Sequence, residues 1–154
     1  MKKIALILLA CTMVFAACKK EKKPTPPSLD GSVVGSWHLV SWTGSSVVQD
    51  VYISFEENGG FDLYQRIDAP YYEHFDGVYT VNGTNMTGHY SDGVEWDGSP
   101  YKITFSDEGK TMSMTRSSNP DDVSVYAKTD IPDDILSGIL VGKAILPVSD
   151  FRYL

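Results

Sequence analysis

Between residues 29 and 129 the sequence alternates short runs rich in β-branched and aromatic residues with turn signals. This succession most constrains the fold, because regularly spaced short strands without a helical period are typical of an antiparallel barrel or sandwich. We predict eight strands, over residues 37–43, 50–56, 60–67, 72–81, 84–90, 100–105, 111–116 and 123–128.

The links between these runs alternate in length. Short glycine-containing links follow the second, fourth and sixth runs, and glycine supplies the positive φ that tight hairpins need. Longer links follow the first, third, fifth and seventh runs. In an up-and-down meander successive links lie at opposite ends, so the sequence predicts a barrel with one sealed end and one open end. The interior of such a barrel holds packed side chains or one small ligand.

Alternation along each run assigns one face to the interior, and a slip of one residue would turn a whole strand over. For the last run we predict that Val123, Val125 and Ala127 face inward. The other predicted interior residues are Val51, Ile53, Phe55, Phe61, Leu63, Gln65, Ile67, Tyr79, Val81, Met86, Gly88, Tyr90, Tyr101, Ile103, Phe105, Met112, Met114 and Arg116.

Five of these predicted interior residues lie toward the open end and are candidates to line a ligand cavity. Tyrosine and methionine suit an adaptable apolar pocket with a few polar tips. The five candidates are Ile67, Tyr90, Tyr101, Met114 and Arg116.

Arg116 has two interpretations. Its guanidinium could bind the carboxylate of an amphipathic ligand through a paired fork, or it could lie at the rim and pair with Asp121, Asp122 or solvent. We favour the rim. Trp42 and Trp96, on the open-end loops, either form a lid or partner-binding rim or pack down on the barrel, and the sequence does not separate these two readings.

Three motifs make the chain similar to a known family. Gly35-Ser36-Trp37 opens the first run, residues 77–83 form the fourth run and its hairpin, and residues 125–128 close the last run. Together they resemble the lipocalin superfamily, particularly the short lipocalin-like domains of Gram-negative envelope lipoproteins. The resemblance covers residues 32–129 and implies an all-β, eight-stranded antiparallel up-and-down barrel with a short C-terminal helix. It also implies a structural contact at the sealed end among Gly35, Trp37 and Lys128, where the family commonly has Arg in place of Lys128.

The first 17 residues have the anatomy of an export signal. Two lysines precede a run of apolar residues that is too short to cross a ~30 Å hydrocarbon core as a helix. Residues 15–18 resemble the lipobox of bacterial lipoproteins, so we predict that Cys18 is lipidated. Cys11 ends a rival lipobox, and a buried N-terminal helix is a further alternative. With Cys18 acylated and Cys11 removed, no disulfide can form.

Residues 18–31 read as a lipidated cysteine followed by a Lys- and Pro-rich tether with little to bury. From Ser28 onward the chain carries seven basic and nineteen acidic residues. Because such a body repels polyanions, we expect no nucleic-acid partner.

The tail, residues 130–154, differs from the strand region in its sequence pattern. Pro132, Asp133 and Asp134 suit a helix start, and apolar residues follow at helical spacing up to Leu140. Residues 145–148 and 151–154 then read as extended segments over the barrel wall. The alternative is that this apolar tail caps the mouth or binds a partner.

Signals for catalysis are weak. His38, His74 and His89 lack metal-ligand spacing, and no nucleophile-elbow motif is present. The acidic loop 92–98 lacks the ligand spacing of an EF-hand, so a solvated loop is favoured over a Ca²⁺ site. We therefore predict no catalytic residues, no metal, no cofactor and no enzymatic activity. A hydrolase or isomerase that uses carboxylates at the mouth is a distant alternative.

The leading hypothesis is a binding protein for a small apolar or amphipathic ligand, anchored through its acyl group in the cell envelope, in the outer membrane of a Gram-negative bacterium. The alternative is a protein- or glycan-interaction module, with a side-chain-filled barrel, that contacts another envelope component. A cavity of ~300 Å³ or more at the Trp42/Trp96 end would favour the first.

Overall fold

The computed structural model describes residues 31–46, 49–67, 69–138 and 151–154. The predicted signal segment, Cys18 and the tether up to residue 30 lie outside these residues. Eight antiparallel strands close into a barrel, which confirms the predicted all-β architecture. The strands are β1 (Gly35–Trp42), β2 (Asp50–Phe55), β3 (Gly60–Arg66), β4 (Glu73–Asn82), β5 (Asn85–Tyr90), β6 (Tyr101–Ser106), β7 (Thr111–Arg116) and β8 (Val123–Lys128).

Each strand pairs with its neighbour in sequence, and β8 pairs with β1 to close the sheet. The tight links after β2, β4 and β6 therefore share one end of the barrel with Trp37, which pairs with Lys128. At the first of these hairpins Gly59 has a φ of +89°, and the Asn58 side chain accepts a hydrogen bond from the Gly60 amide at 2.7 Å. Glycine takes this left-handed conformation without the penalty of a Cβ atom.

The β5–β6 pairing is the short one in this barrel, with Asn85 opposite Lys102 and Met86 opposite Tyr101. Residues 91–100 fill the space where these strands diverge. The loop returns along β5, and the Trp96 amide donates to the Gly88 carbonyl at 3.1 Å. This pairing brings the Trp96 side chain inside the barrel.

The interior is a single apolar core in which alternate residues of each strand are buried, as period-2 alternation requires. The predicted interior face is wrong for β8. Tyr126 is fully buried, because it lies opposite Leu39 on β1 and Met112 on β7, and directly opposed residues share a face. Val123, Val125 and Ala127 are only half-buried on the other face.

The predicted helix is present as α1 (Asp133–Leu136), a single turn preceded by Pro132. Ile131 and Ile135 are buried against Tyr72 on the outer wall, where Tyr52 and Tyr64 pack beside them. Residues 139–150, including the continuation of the predicted helix and the extended segment 145–148, lie outside the described residues. No helix within the described ranges is long and apolar enough to cross a membrane.

Candidate functional site

Residues 151–154 enter the open end of the barrel rather than covering its outer wall. We call these four residues the mouth segment. Tyr153 and Leu154 are buried, with 5% and 2% of their surfaces exposed, and both join the core cluster of the barrel. The arrangement corresponds to the alternative in which the tail occupies the mouth.

Gln65 holds the backbone of the mouth segment. Its side chain projects inward from β3 and is fully buried. Its Nε2 donates to the Phe151 carbonyl at 2.8 Å and to Glu73 Oε2 at 3.1 Å, and its Oε1 accepts from the Tyr153 amide at 3.0 Å. A polar side chain in an apolar interior is tolerated because these bonds satisfy it.

The ring of Tyr153 lies in an aromatic pocket under the rim. It packs edge-on against Trp42, with centroids 5.5 Å apart, and against Tyr126 at 6.4 Å. Its hydroxyl is hydrogen-bonded to Ser124 Oγ at 2.8 Å. Burial raises the pKa of Tyr153 well above its usual value, so the phenol is neutral at physiological pH.

Arg152 points the other way, to the outside of the mouth. Its guanidinium pairs with both carboxylate oxygens of Asp92, at 3.0 and 2.5 Å, and covers the faces of Tyr90 and Phe75 at 4.7 and 5.1 Å from the ring centroids. Hydrogen bonds from Arg152 lower the pKa of Asp92 to about 2. A cavity of about 160 Å³, whose lining includes Arg152, lies beside this pair.

Tyr90 fixes the end of the mouth segment. Its ring is 2% exposed and packs edge-on against Phe61 and Phe75, while its hydroxyl donates to the Leu154 carbonyl at 3.0 Å. Burial raises the pKa of Tyr90, so this hydroxyl stays a donor.

Trp96 lies in the barrel interior and is 2% exposed. It packs edge-on against Phe61 and Tyr101, at centroid distances of 5.0 and 6.3 Å. Gly88 makes room for it, because a Cβ atom there would lie 2.5 Å from Trp96 Cε2. The buried Nε1 of Trp96 has no hydrogen-bond partner within the part of the chain that the structure describes.

Arg116 lies at the rim in a network of ion pairs. Its Nε is 2.7 Å from Asp122 Oδ2 and its Nη1 is 2.9 Å from Asp97 Oδ2. Trp42 joins the network, because its Nε1 donates to Asp122 Oδ1 at 2.6 Å. The guanidinium is thus neutralised by carboxylates of the protein, as in the rim interpretation.

The remaining lining candidates are spread along the wall. Met114 is buried opposite Ile103, and Tyr101 is buried with its hydroxyl donating to the Asp97 carbonyl. Burial raises the pKa of Tyr101 to about 12. Ile67 follows β3 and is half-buried against the core.

Three polar residues of the site were not among the five residues predicted to line the cavity. Gln65 carried a signal, because it interrupts an otherwise apolar interior row of β3. Ser124 was missed because the face of β8 was assigned in the wrong register. Glu73, which accepts from Gln65, carried no signal in the local pattern.

At the sealed end the structure brings Gly35, Trp37 and Lys128 together. The Lys128 ammonium lies 5.3 Å from the Trp37 ring centroid and donates to the Val34 carbonyl at 3.3 Å. Gly35 has a φ of +122°, and a Cβ atom there would lie 3.0 Å from Lys128 Cε. The Trp37 indole donates to the Val33 carbonyl at 2.7 Å. This contact is structural.

A separate groove of about 410 Å³ lies on the outer wall, between α1 and the strands, away from the open end. Its lining includes Asp62, Asp130 and Asp133. Within the described ranges no group of three or more His, Cys, Asp or Glu side chains is arranged to hold a metal ion.

An up-and-down barrel with one sealed end, and buried polar groups at the other, has the architecture of a ligand-binding barrel. Residues 33–114 match the family model of the lipocalin-like domain, and the chain belongs to this family. Members are typically binding proteins rather than enzymes. No curated protein and no solved structure matches the chain.

Proposed function

We propose that this protein is a lipid-anchored binding protein of the cell envelope that takes a small amphipathic ligand into the open end of its barrel. One observation carries the proposal. Buried polar groups of the barrel mouth, on Gln65, Tyr90 and Ser124, bond to a segment that is not part of the barrel wall.

The polar groups favour a binding role over a purely structural one. A buried donor or acceptor without a partner costs about 1–3 kcal/mol, so a barrel that only needed a core would keep apolar side chains here. Binding sites combine an apolar lining with a few polar groups that orient the ligand. Among the described residues, the buried Nε1 of Trp96 has no hydrogen-bond partner and adds a free donor beneath the mouth.

The packed core beneath the mouth limits the size of the ligand. Trp96 packs against Phe55 and Phe61 below the mouth, and Met112 and Met114 are buried in the same core. A ligand would therefore occupy the space that the mouth segment fills in this structure, and it would not extend to the sealed end.

Native mass spectrometry of the protein extracted from its own membrane tests ligand binding. We expect a mass beyond the acyl group, and saturable binding of cis-parinaric acid that Ser124→Val weakens. Ser113→Val, on β7, is the matched control, because Ser113 is not one of the polar residues that bond to the mouth segment. Absence of both an added mass and saturable binding would remove the support for an internal ligand.

The anchor is supported by the sequence of residues 1–31, and the acyl group on Cys18 would hold the barrel at the outer membrane of a Gram-negative bacterium. Metabolic labelling with an alkyne fatty acid tests it. We expect Cys18→Ser to abolish labelling and to release the protein from the membrane fraction, and Cys11→Ser to retain both. The reverse pattern would assign the lipid to Cys11.

The filled interior favours a second candidate, an interaction module for another envelope protein or a glycan. Its support is the packing of Trp96 in the core. In that case photo-crosslinking from Val94, an exposed residue of the 91–100 loop, would capture the same envelope component repeatedly, while native mass spectrometry would find no small ligand.

A further inference from the structure

We infer that the open end of the barrel is a peptide-binding site, occupied in this structure by the chain's own mouth segment. The inference rests on the proposed function, because it names the ligand class of the same site. The ligand would be a short extended peptide in which an arginine precedes an aromatic and an aliphatic residue.

Main-chain recognition is the first argument. The Gln65 carboxamide donates to the carbonyl of residue 151 and accepts from the amide of residue 153, two positions along. A residue of a neighbouring parallel strand makes the same pair of bonds through its own N–H and C=O groups. Main-chain bonds of this kind provide affinity for an extended peptide whatever its side chains, as in strand-addition binding.

Side-chain recognition is the second argument. The aromatic residue enters a pocket formed by Trp42 and Tyr126, where Ser124 bonds a phenolic hydroxyl. The pocket is under the rim, so a peptide reaches it from the open end. Specificity for an aromatic side chain follows from edge-on ring packing together with one polar partner.

The arginine position is the third argument. Asp92 offers a paired carboxylate, and the rings of Phe75 and Tyr90 offer faces to a guanidinium. A planar cation satisfies both kinds of contact at once, whereas the compact ammonium of lysine cannot make the fork. A fatty acid gains neither contact, so we expect it to bind more weakly than the peptide.

The polar groups also disfavour a plain acyl chain. Such a chain would bury Gln65 without partners for the two bonds that it now makes to the segment. A peptide backbone supplies an acceptor and a donor in the required spacing. The site therefore selects a peptide over a lipid by the polar groups it would otherwise leave unsatisfied.

Because the mouth segment occupies the site, an added peptide should have to compete with it. A segment of the same chain acts at a high effective concentration, on the order of millimolar, so a free peptide binds the intact protein weakly. Weakening the mouth segment should raise the apparent affinity for the same sequence offered in trans.

The experiment uses the full chain and the fluorescein-labelled tetrapeptide Phe-Arg-Tyr-Leu, followed by fluorescence anisotropy. We expect Tyr153→Ala to bind the peptide at least tenfold more tightly than the unaltered protein. Arg152→Ala, which removes a contact at the outside of the mouth, should have the same effect in a smaller degree and guards against misfolding of the first variant. Thermal unfolding verifies that each variant is folded.

Gln65→Met, placed in the Tyr153→Ala or Arg152→Ala background, should abolish the gain in peptide binding, and Ser113→Val in the same background should retain it. Folded variants that bind no more peptide than the unaltered protein would overturn the inference. If those variants bind cis-parinaric acid but no peptide, the peptide inference fails and the proposed function stands. If they bind neither probe, both fail.

Discussion

Arg152 and Asp92 form a bidentate ion pair across the mouth of the barrel, with the guanidinium lying over Tyr90. The pair joins a residue of the mouth segment to the loop that follows β5. Because the same loop inserts Trp96 into the core, one ion pair couples the segment to the packing beneath it.

The first prediction concerns the stability of the folded protein at low pH. The pKa of Asp92 is lowered from an ordinary 3.8 to about 2 by its hydrogen bonds with Arg152, so the folded protein binds this proton less readily than the unfolded chain. The contribution of Asp92 to stability is therefore present above pH 3.8 and is lost as the pH falls toward 2. In urea denaturation we expect the unaltered protein to exceed Asp92→Asn in stability at pH 6, and the difference to vanish near pH 2. A difference independent of pH across this range would contradict the prediction.

Most of the fold could be predicted from local patterns. Alternating apolar residues in β2, β3 and β5 fix their interior faces, since burial on one side of a sheet requires this period. Glycine at Gly59 and Gly83 marks the tight links. The alternation of link lengths orients the barrel, because hairpins at one end and loops at the other follow from an up-and-down path.

The site was harder to predict, because its contacts join distant parts of the chain. Gln65 and Tyr153 are 88 residues apart, and no local period reports such a pair. On β8 the apolar alternation of Val123 and Val125 was misleading, because Ser124 and Tyr126 form the inward face and the Tyr153 hydroxyl satisfies Ser124 there. Trp96 lies in a loop that returns along β5 beside the short β5–β6 pairing, an arrangement that no local pattern reports.

The second prediction tests the buried carboxamide. Gln65→Leu keeps a similar volume but removes the side-chain bonds to the Phe151 carbonyl and the Tyr153 amide. We expect a loss of about 1–3 kcal/mol in the free energy of unfolding, which is the usual cost of removing one partner of a buried hydrogen bond. Urea denaturation at neutral pH measures it. Thr87→Val, on the exposed face of β5, is the control and should change stability by less than about 0.5 kcal/mol. An equal effect of the two substitutions would count against the role of Gln65.

The third prediction concerns the space above Gly88. An alanine Cβ there would lie 2.5 Å from Trp96 Cε2, so the indole must move. We expect Gly88→Ala to destabilise the barrel by about 1–3 kcal/mol, as overpacking does, and to shift the tryptophan emission to longer wavelength. The double variant Gly88→Ala with Trp96→Leu should lose less than the sum of the two single changes, because the smaller side chain relieves the clash. Strict additivity would show that Trp96 is not what Gly88 accommodates.

The fourth prediction concerns the sealed end, where Lys128 packs against Trp37. Its ammonium lies 5.3 Å from the Trp37 ring centroid, and a cation in this position over an indole contributes about 0.5–1 kcal/mol at an exposed site. Lys128→Met keeps the aliphatic stem and removes the charge, so thermal and urea unfolding should show a loss of that size. Lys128→Arg should retain the contact and add the stacking of a planar guanidinium on Trp37, with stability equal to or above that of the unaltered protein. If methionine proved as stabilising as lysine, the stem alone would account for the contact and the charge would be incidental. Because the Trp37 indole also donates to the Val33 carbonyl, either result leaves the ring anchored and isolates the contribution of the cation.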